Sequence, residues 1–350
     1  MTEFKLEALS VWEKLQNTTE PVIMYGTGNG ADKVMDEFQK RNINIQGVTA
    51  SSGFVRERTF RGFPVKPIEY FEELYSEFTV VITFGSSIKE VMENIYSLES
   101  RHRVLVPCVP VIGNIIADRD FISKNIEDIN RAYNLLGDEF SRAVYSGYIN
   151  FVFSGELSYL KEITSLADEI YPILNIGENE TFVDIGAYRG DTVSKFLSLC
   201  GGKYKGIIAA EPDVKTYKKL MANCEHLENF RGENAAVTGV DGYVEFSQQA
   251  GRQSSVGHGE KTPSLTLNSL CKGQIPTFVK IDSEGCECEI LEFGREILSL
   301  YKPKLNVAAY HRFEDIFKLP LLINSINKEY KIYLRHHPYI PAWDTIYYCI

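Results

Sequence analysis

Two segments of the sequence open in the same way, and this repetition restricts the fold more than any other feature. Each has a short apolar run, a glycine-rich turn and then a helical pattern: PVIMYGTGNGA over Pro21–Ala31 and TFVDIGAYRGD over Thr181–Asp191. Strands that alternate with helices follow both openings, which is typical of parallel, doubly wound α/β units. Since one domain usually has about 100–200 residues, we predict two α/β domains in this chain of 350 residues.

The stretch between the two openings predicts a helical connector that packs onto the second domain. Apolar residues recur there at three- and four-residue spacing, in Ile126–Leu136 and in Leu157–Leu174. The predicted parts are a Rossmann-like domain over residues 1–113, a helical connector over 114–176 and a second α/β domain over 177–350.

The last two predicted strands form an antiparallel pair. They cover Lys331–Arg335 and Thr345–Cys349, and the connection between them is short and contains two prolines. A connection of that length joins antiparallel strands, whereas parallel strands need a longer crossover.

Charge and hydropathy argue against nucleic acid and the membrane interior as partners, although a local basic patch stays open. The 37 Lys and Arg residues against 47 Asp and Glu give a net charge of −10, and affinity for nucleic acid depends on clustered basic residues. No apolar run approaches the roughly 18–20 residues that span a bilayer, and Met1–Thr19 predicts an amphipathic helix rather than a secretory signal. We therefore expect a cytoplasmic protein whose seven cysteines are free thiols.

The second glycine-rich turn has the features of a ligand site at the carboxyl ends of parallel strands. Gly186 and Gly190 let a ligand approach the backbone, and the helix that begins near Asp191 offers free N–H groups. The next strand ends in Glu211, whose carboxylate can accept hydrogen bonds from both hydroxyls of a ribose. If the turn presents no basic side chain to a phosphate, an adenosine-type cofactor without phosphates fits better than a dinucleotide. The alternative is a turn that only tightens the loop.

Six strings follow one another in the second half of the chain: FVDIGAYRGDT, AAEPD, ENAAVTG, FVKIDSEGCECEIL, VAAYHRFEDI and YLRHH. Together they resemble the FkbM family of S-adenosylmethionine-dependent methyltransferases, over roughly residues 134–350. The resemblance implies a seven-stranded methyltransferase sheet with a reversed last hairpin, and S-adenosylmethionine as the cofactor. Ser283 departs from the family pattern, because an aliphatic residue is more usual there.

The resemblance also implies roles for individual residues. Glu211 would hold the ribose hydroxyls, and Asp282 would lie close to the sulfonium and the acceptor. The full set expected at the cofactor is Asp184, Gly186, Ala187, Tyr188, Gly190, Asp191, Thr192, Glu211, Pro212, Asn234, Ala235 and Asp282.

Methyl transfer to a hydroxyl needs donor and acceptor held in line and is helped by a general base. Asp282 and His311 each follow a predicted strand and are the candidate catalytic residues. An imidazole with an ordinary pKa of about 6.5 suits a base near neutral pH, so His311 is expected to accept the proton. His336 and His337 end another strand, where neighbouring side chains face opposite ways, so at most one of them points into the cleft.

The same region offers ligands for a divalent cation. Asp282, Glu284, Glu287 and His311 combine carboxylates with one imidazole, which suits Mg²⁺ or Mn²⁺. The alternative is that Glu284 and Glu287 stabilise the first turn of the following helix, where acids are favourable. We favour that interpretation and assign no metal.

The first glycine-rich turn, with Gly26, Gly28 and Gly30, also lies between a strand and a helix. A dinucleotide site would have an acid at the end of the next strand, but the sequence there is Val48-Thr-Ala-Ser. Residues 21–113 are similar to the nucleotide-sugar-binding domain of bacterial sugar acetyltransferases. That resemblance implies a module that grips a nucleotide or sugar phosphate; the alternative is a purely structural domain.

The predicted activity is therefore S-adenosylmethionine-dependent methylation of a sugar hydroxyl on a nucleotide sugar or a surface-glycan precursor. Two other classes stay open: an oxidoreductase that uses the amino-terminal domain to modify nucleotide sugars, and a binding protein that kept the cofactor fold without catalysis. The expected partner is a small molecule or glycan precursor, with no nucleic acid and no membrane span, and a homo-oligomer is left open.

Overall fold

The chain folds around two large sheets whose strands are mostly parallel. The computed structural model describes residues 5–51, 53, 58–246 and 260–350, apart from the side chains of residues 167–169, 246 and 260. The predicted α/β class is therefore present in both halves of the chain.

The amino-terminal part alternates short strands with helices. Its elements are α1 (Val11–Asn17), β1 (Val22–Tyr25), α2 (Asn29–Lys40), β2 (Gly47–Thr49), β3 (Thr59–Phe60), β4 (Phe63–Lys66), α3 (Ile68–Leu74), β5 (Thr79–Ile82), α4 (Lys89–Glu99) and β6 (Arg103–Leu105). The six strands form one sheet in the order β3-β4-β2-β1-β5-β6, and β3 and β4 pair antiparallel. Strands β1 and β5 are buried along their whole length, as expected for a parallel sheet covered on both faces.

Two expectations for this part change in detail. The helix expected over Met1–Thr19 is confined to Val11–Asn17, because Ser10 caps it in a capping box with Glu13; residues 1–4 lie outside the described part of the chain. The turn expected after Phe60 is present, but its flanking residues pair as a hairpin. Arg61 and Gly62 both have positive φ, the conformation that a two-residue hairpin turn favours.

The expected helical connector consists of five helices. They are α5 (Arg119–Lys124), α6 (Ile126–Asn134), α7 (Glu139–Ser154), α8 (Leu157–Ile163) and α9 (Ala167–Leu174). The longest, α7, is apolar over most of its surface and ends at Gly155, which has a left-handed conformation.

The carboxyl-terminal part contains the second large sheet. Its elements are β7 (Thr181–Ile185), α10 (Asp191–Leu199), β8 (Gly206–Ala210), α11 (Val214–Cys224), β9 (Phe230–Glu233), β10 (Ala236–Val237), β11 (Gly242–Phe246), β12 (Glu260–Leu265), α12 (Leu267–Cys271), β13 (Phe278–Ile281), α13 (Glu287–Phe293), α14 (Arg295–Tyr301), β14 (Lys304–Ala308), α15 (Asp315–Ile326), β15 (Ile332–His336) and β16 (Thr345–Cys349). Seven strands pair in the order β15-β16-β14-β13-β7-β8-β9. The last hairpin, β15–β16, is antiparallel and reversed in the sheet, as predicted.

A small three-stranded sheet, in the order β10-β12-β11, was not predicted. Strand β12 reads EKTPSL and contains Pro263, a composition that disfavours a strand in the sequence alone.

The connector packs onto the second sheet, with α6 against α15 and α7 against β15. Asp138 at the start of α7 forms an ion pair of 2.6 Å with Arg335 on β15, whose side chain is buried. One continuous apolar core joins residues of the first sheet, the connector and the second sheet. The connector therefore fixes how the two sheets face each other.

All seven cysteines are free thiols, as predicted. Within the described residues, no helix combines the length and apolar character that crossing a membrane requires.

Candidate active site

A cavity of about 800 Å³ lies where the carboxyl ends of the two parallel sheets meet. Residues that follow β1, β5 and β6 form one wall, and residues that follow β7, β8, β13 and β14 form the other. Ligands of open parallel sheets bind at such strand ends. The predicted site residues on its lining are Gly28, Gly30, Gly186, Tyr188, Asp191, Thr192, Glu211, Pro212, Ala235, Asp282 and His311.

The turn after β7 is drawn tightly against its neighbouring strands. The N–H groups of Gly186 and Ala187 both donate to the carbonyl oxygen of Ala210 at 3.0 Å. Gly186 has φ +74°, and a Cβ there would lie 1.9 Å from the carbonyl oxygen of Asp282. Only glycine fits this position, so the backbone after β7 and the backbone after β13 close together at the cavity.

Two backbone hydrogen bonds fix the carboxylate of Glu211 at the end of β8. One oxygen accepts the N–H of Tyr188 at 3.0 Å, and the other accepts the N–H of Asp213 at 2.9 Å. Burial raises the pKa of Glu211 to about 7, although these two hydrogen bonds oppose the shift. Each carboxylate oxygen has further lone pairs, so the group can accept two hydroxyl donors from the cavity.

Several predicted cofactor residues lie behind the cavity wall. Asp184 is fully buried and forms an ion pair of 3.2 Å with Lys280, whose amine also donates to the Gly186 carbonyl at 2.7 Å. Asn234 donates its amide to the carbonyl oxygens of Glu211 and Pro212. These residues shape the turns rather than line the cavity, and the same holds for Ala187, Gly190 and Gly26.

Lys280 is a lining residue that the sequence interpretation missed. Burial disfavours its charge, but Asp184 and Asp282 outweigh that effect and raise its pKa. The signal was available, because a lysine within the apolar strand FVKI must have a buried acidic partner.

His311 lies in a cluster of three carboxylates at the end of β14. Its Nδ1 is 2.9 Å from Oε1 of Glu287, and its Nε2 is 3.5 Å from Oδ1 of Asp282 and 3.4 Å from Oε2 of Glu284. Burial disfavours a charged imidazole, but these carboxylates reverse the effect and raise the pKa of His311 to about 10. The expected ionisation near pH 6.5 does not fit this cluster, because the imidazole is held as a cation at neutral pH.

Asp282 is the member of this cluster that is most open to the cavity, with 35% of its side chain exposed. It accepts a hydrogen bond of 3.1 Å from the hydroxyl of Tyr310. Asp282 and His311, the two predicted catalytic residues, are therefore neighbours on one wall, as their positions after adjacent strands indicated.

The opposite wall carries the first glycine-rich turn. A Cβ at Gly28 would meet no atom within 4 Å, so the cavity is open there, whereas a Cβ at Gly30 would lie 2.4 Å from the carbonyl oxygen of Thr83. Lys33, which also lines the cavity, donates to the carbonyl oxygens of Pro110 and Val111 at 2.9 and 3.1 Å. The two glycine-rich turns, which the sequence places on separate domains, thus face one cavity.

The hairpin β15–β16 closes the cavity with aromatic side chains. Tyr339 and Trp343 lie on the lining with ring centroids 5.7 Å apart. His337 also lines the cavity and contacts the hydroxyl of Tyr348 at 2.7 Å, while His336 is buried and hydrogen-bonded to Thr345. The prediction that at most one of the two histidines reaches the cleft is therefore confirmed.

Comparison with known proteins points to the second half of the chain. Residues 184–340 match the family model described as Methyltransferase FkbM domain. The match lies within the stretch whose sequence resembles that family, and it does not reach residues 21–113. The likeness of those residues to nucleotide-sugar-binding domains stays a prediction.

One solved structure is similar in fold over nearly the whole chain. Methyltransferase FkbM from Methylobacillus flagellatus KT is similar over 99% of this chain and 94% of its own, with a TM-score of 0.73 and 21% identity. Fibrillarin from Aeropyrum pernix, solved with S-adenosyl-L-methionine, covers 51% of this chain and 69% of its own at a TM-score of 0.34 and 10% identity. No curated protein matches. The family match supports a methyltransferase, and the similarity to the Methylobacillus structure shows the fold.

Proposed function

We propose that this protein is an S-adenosylmethionine-dependent methyltransferase that methylates a hydroxyl on a nucleotide sugar or a surface-glycan precursor. The observation that carries the proposal is the single cavity. One wall has the glycine turn and the held carboxylate of Glu211, and the facing wall has the first glycine-rich turn. A donor on the first wall and an acceptor on the second would meet in one cavity, where they could be held in line for transfer.

The residues of the first wall fit S-adenosylmethionine. Glu211 offers two carboxylate oxygens, each held by a backbone N–H, to a pair of ribose hydroxyls. The turn has one basic residue, Arg189, whose guanidinium lies over the ring of Tyr188 and is not on the cavity lining. A phosphate would therefore meet no cation from this turn, which favours a nucleoside cofactor over a dinucleotide.

S-adenosylmethionine supplies a methyl group on a positively charged sulfur. Asp191 and Asp282 line the same wall, and a carboxylate beside the sulfonium would stabilise its positive charge. Gly186 supports this assignment, since any larger residue would push the backbone of Asp282 out of place.

The second wall suits a hydroxylated acceptor. Gly28 leaves open space, Lys33 adds an amine, and Trp343 adds an aromatic face. A sugar ring can pack on an aromatic face while its hydroxyls reach polar groups. The substrate class itself rests on the resemblance of residues 21–113 to nucleotide-sugar-binding domains.

When the acceptor oxygen takes the methyl group, its O–C bond forms, the C–S bond breaks and the hydroxyl proton passes to a base. Asp282 is the open member of the cluster, so we assign proton acceptance to it. His311 lies 3.5 Å away as a buried cation and stabilises the negative charge on Asp282 and on the acceptor oxygen. The sequence predicts proton acceptance by His311, whereas this assignment gives proton acceptance to Asp282.

Calorimetry with the full chain separates this proposal from the two alternatives. We expect saturable binding of S-adenosylmethionine and none of NAD⁺, and we expect Glu225→Gln on the exposed end of α11 to leave the affinity unchanged. Binding of NAD⁺ in preference would favour an oxidoreductase. Binding of S-adenosylmethionine without release of S-adenosylhomocysteine on any nucleotide-sugar pool would favour a binding protein.

A further inference from the structure

The cluster around His311 places three carboxyl groups around a single imidazole. Three carboxylates, from Asp282, Glu284 and Glu287, lie within 3.5 Å of one or the other ring nitrogen. The imidazole is 1% exposed and Glu287 is fully buried. A buried group of this kind normally has every polar atom paired, because an unpaired charge in a low dielectric is unfavourable.

Two carboxylate oxygens in the cluster lack that pairing. Oε1 of Glu287 accepts the N–H of Ser283 at 2.8 Å and faces His311, but its Oε2 is buried with no hydrogen bond. Oε2 of Glu284 is also buried with no hydrogen bond, although it lies 3.4 Å from Nε2 of His311. Oε2 of Glu284 therefore has an unused electron pair beside Nε2 of His311.

The spacing of the cluster suits one cation. Carboxylate oxygens of Asp282 and Glu284 lie 3.5 and 3.4 Å from the same ring nitrogen, Nε2 of His311. At a metal–oxygen distance of about 2.1 Å, two ligands of one octahedral ion lie about 3.0 Å apart if adjacent and about 4.2 Å apart if opposite. Both distances from Nε2 therefore fall within that range.

We infer that Asp282, Glu284 and Nε2 of His311 bind a divalent cation of the Mn²⁺ or Mg²⁺ class, while Glu287 holds Nδ1 of the same ring and orients it. Carboxylate oxygens dominate the set, and one imidazole extends it toward Mn²⁺. Asp282, Glu284 and His311 also line the cavity, so the remaining coordination positions would face the acceptor.

The interpretation favoured from the sequence is that Glu284 and Glu287 only stabilise the following helix. This interpretation explains the position of Glu287 but not that of Glu284. Glu287 is the first residue of α13 and does accept a backbone N–H ahead of it. Glu284 lies before the helix with φ +53° and directs its carboxylate at His311 instead.

Cation binding by this cluster does not depend on the proposed methyl transfer, whereas its catalytic consequence rests on it. A cation bound at Nε2 of His311 would take the place of the proton there, so the ion rather than the imidazolium would stabilise the charge on the acceptor oxygen and help the hydroxyl to lose its proton. A chelator would then slow methyl transfer without changing the affinity for S-adenosylmethionine.

The test is a titration of the chelator-treated full-length protein with Mn²⁺ alone, with free Mn²⁺ followed by electron paramagnetic resonance. We expect one bound ion per chain, and we expect Glu284→Gln and His311→Ala each to weaken binding by more than about 10-fold. Glu292→Gln is the matched control, because it removes the same charge from the exposed side of α13. Glu284 is partly exposed, so its isosteric variant should fold, which circular dichroism checks.

Wild-type protein that binds no Mn²⁺ at millimolar concentration would overturn the inference. Equal affinity in wild type and Glu284→Gln and His311→Ala would overturn it as well, because the ion would then lie elsewhere. Neither result depends on S-adenosylmethionine or on an acceptor. The proposed methyl transfer is therefore tested by its own experiments, whatever the outcome of the Mn²⁺ titration.

Discussion

The backbones of Gly186 and Asp282 lie in direct contact beside the cavity. A Cβ added to Gly186 would lie only 1.9 Å from the carbonyl oxygen of Asp282. This contact joins the turn after β7 to the residue that follows β13. The proposed cofactor wall therefore depends on one glycine as much as on any charged side chain.

Gly186→Ala is expected to disrupt both the fold and the cofactor site. Gly201→Ala is the matched control, because Gly201 also has positive φ, of +63°, but has open space around its missing Cβ. Both variants pay about 1–2 kcal/mol for the left-handed backbone, and only Gly186→Ala adds the clash. Denaturant unfolding should show a loss of free energy of unfolding at least about 1 kcal/mol larger for Gly186→Ala. Equal losses would contradict the role of the contact.

Glu211→Ala is expected to weaken S-adenosylmethionine binding by about 1.5–3 kcal/mol, the scale of lost hydrogen bonds to a charged group. Calorimetry measures the change, and Glu225→Gln serves as the control. An unchanged dissociation constant for Glu211→Ala would remove this carboxylate from the cofactor site.

Cofactor affinity should rise with pH through about pH 7. Burial and the nearby charge of Asp213 raise the pKa of Glu211 to about 7, against the effects of Lys280 and of the two backbone N–H groups. The carboxyl is therefore increasingly protonated below pH 7 and accepts hydroxyl hydrogen bonds poorly, so the affinity should fall by up to about tenfold per unit of pH. Calorimetry at pH 6, 7 and 8 tests this. Glu211→Gln cannot titrate, and a wild-type profile parallel to its profile would contradict the assignment.

Gly28→Val is expected to raise the KM for the acceptor and to leave cofactor affinity unchanged. A Cβ at Gly28 would meet no atom within 4 Å, and the residue lies on the cavity lining, so the variant is expected to fold. Gly177→Val offers a control outside the lining. Full activity of Gly28→Val would favour a purely structural amino-terminal part.

The sequence allowed prediction of those features that depend on local pattern. The alternation of strands and helices predicted both sheets. Because the carboxyl ends of parallel strands lie on one edge, it also predicted that Glu211, Asp282 and His311 lie close together, and all three line the cavity. The antiparallel last hairpin followed from the short connection between its strands.

Features that depend on packing between distant segments could not be predicted from local sequence patterns. The shared cavity exists because the connector docks on the second sheet through contacts such as Asp138–Arg335, and no local pattern encodes that docking. Asp184 and Asn234 matched a motif but support the wall from behind. The raised pKa of His311 depends on three carboxylates whose convergence only the folded chain shows.

Transfer of a labelled methyl group tests the central claim most directly. The full chain is incubated with S-adenosylmethionine labelled in its methyl group and with a pool of nucleotide sugars, and mass spectrometry follows the label. We predict that the label appears on one nucleotide sugar with wild-type protein, that Glu211→Ala loses transfer through weaker cofactor binding, and that Gly28→Val loses it through weaker acceptor binding. Binding of the cofactor with no label transferred to any nucleotide sugar, or transfer that neither variant alters, would contradict the account of one cavity shared by donor and acceptor.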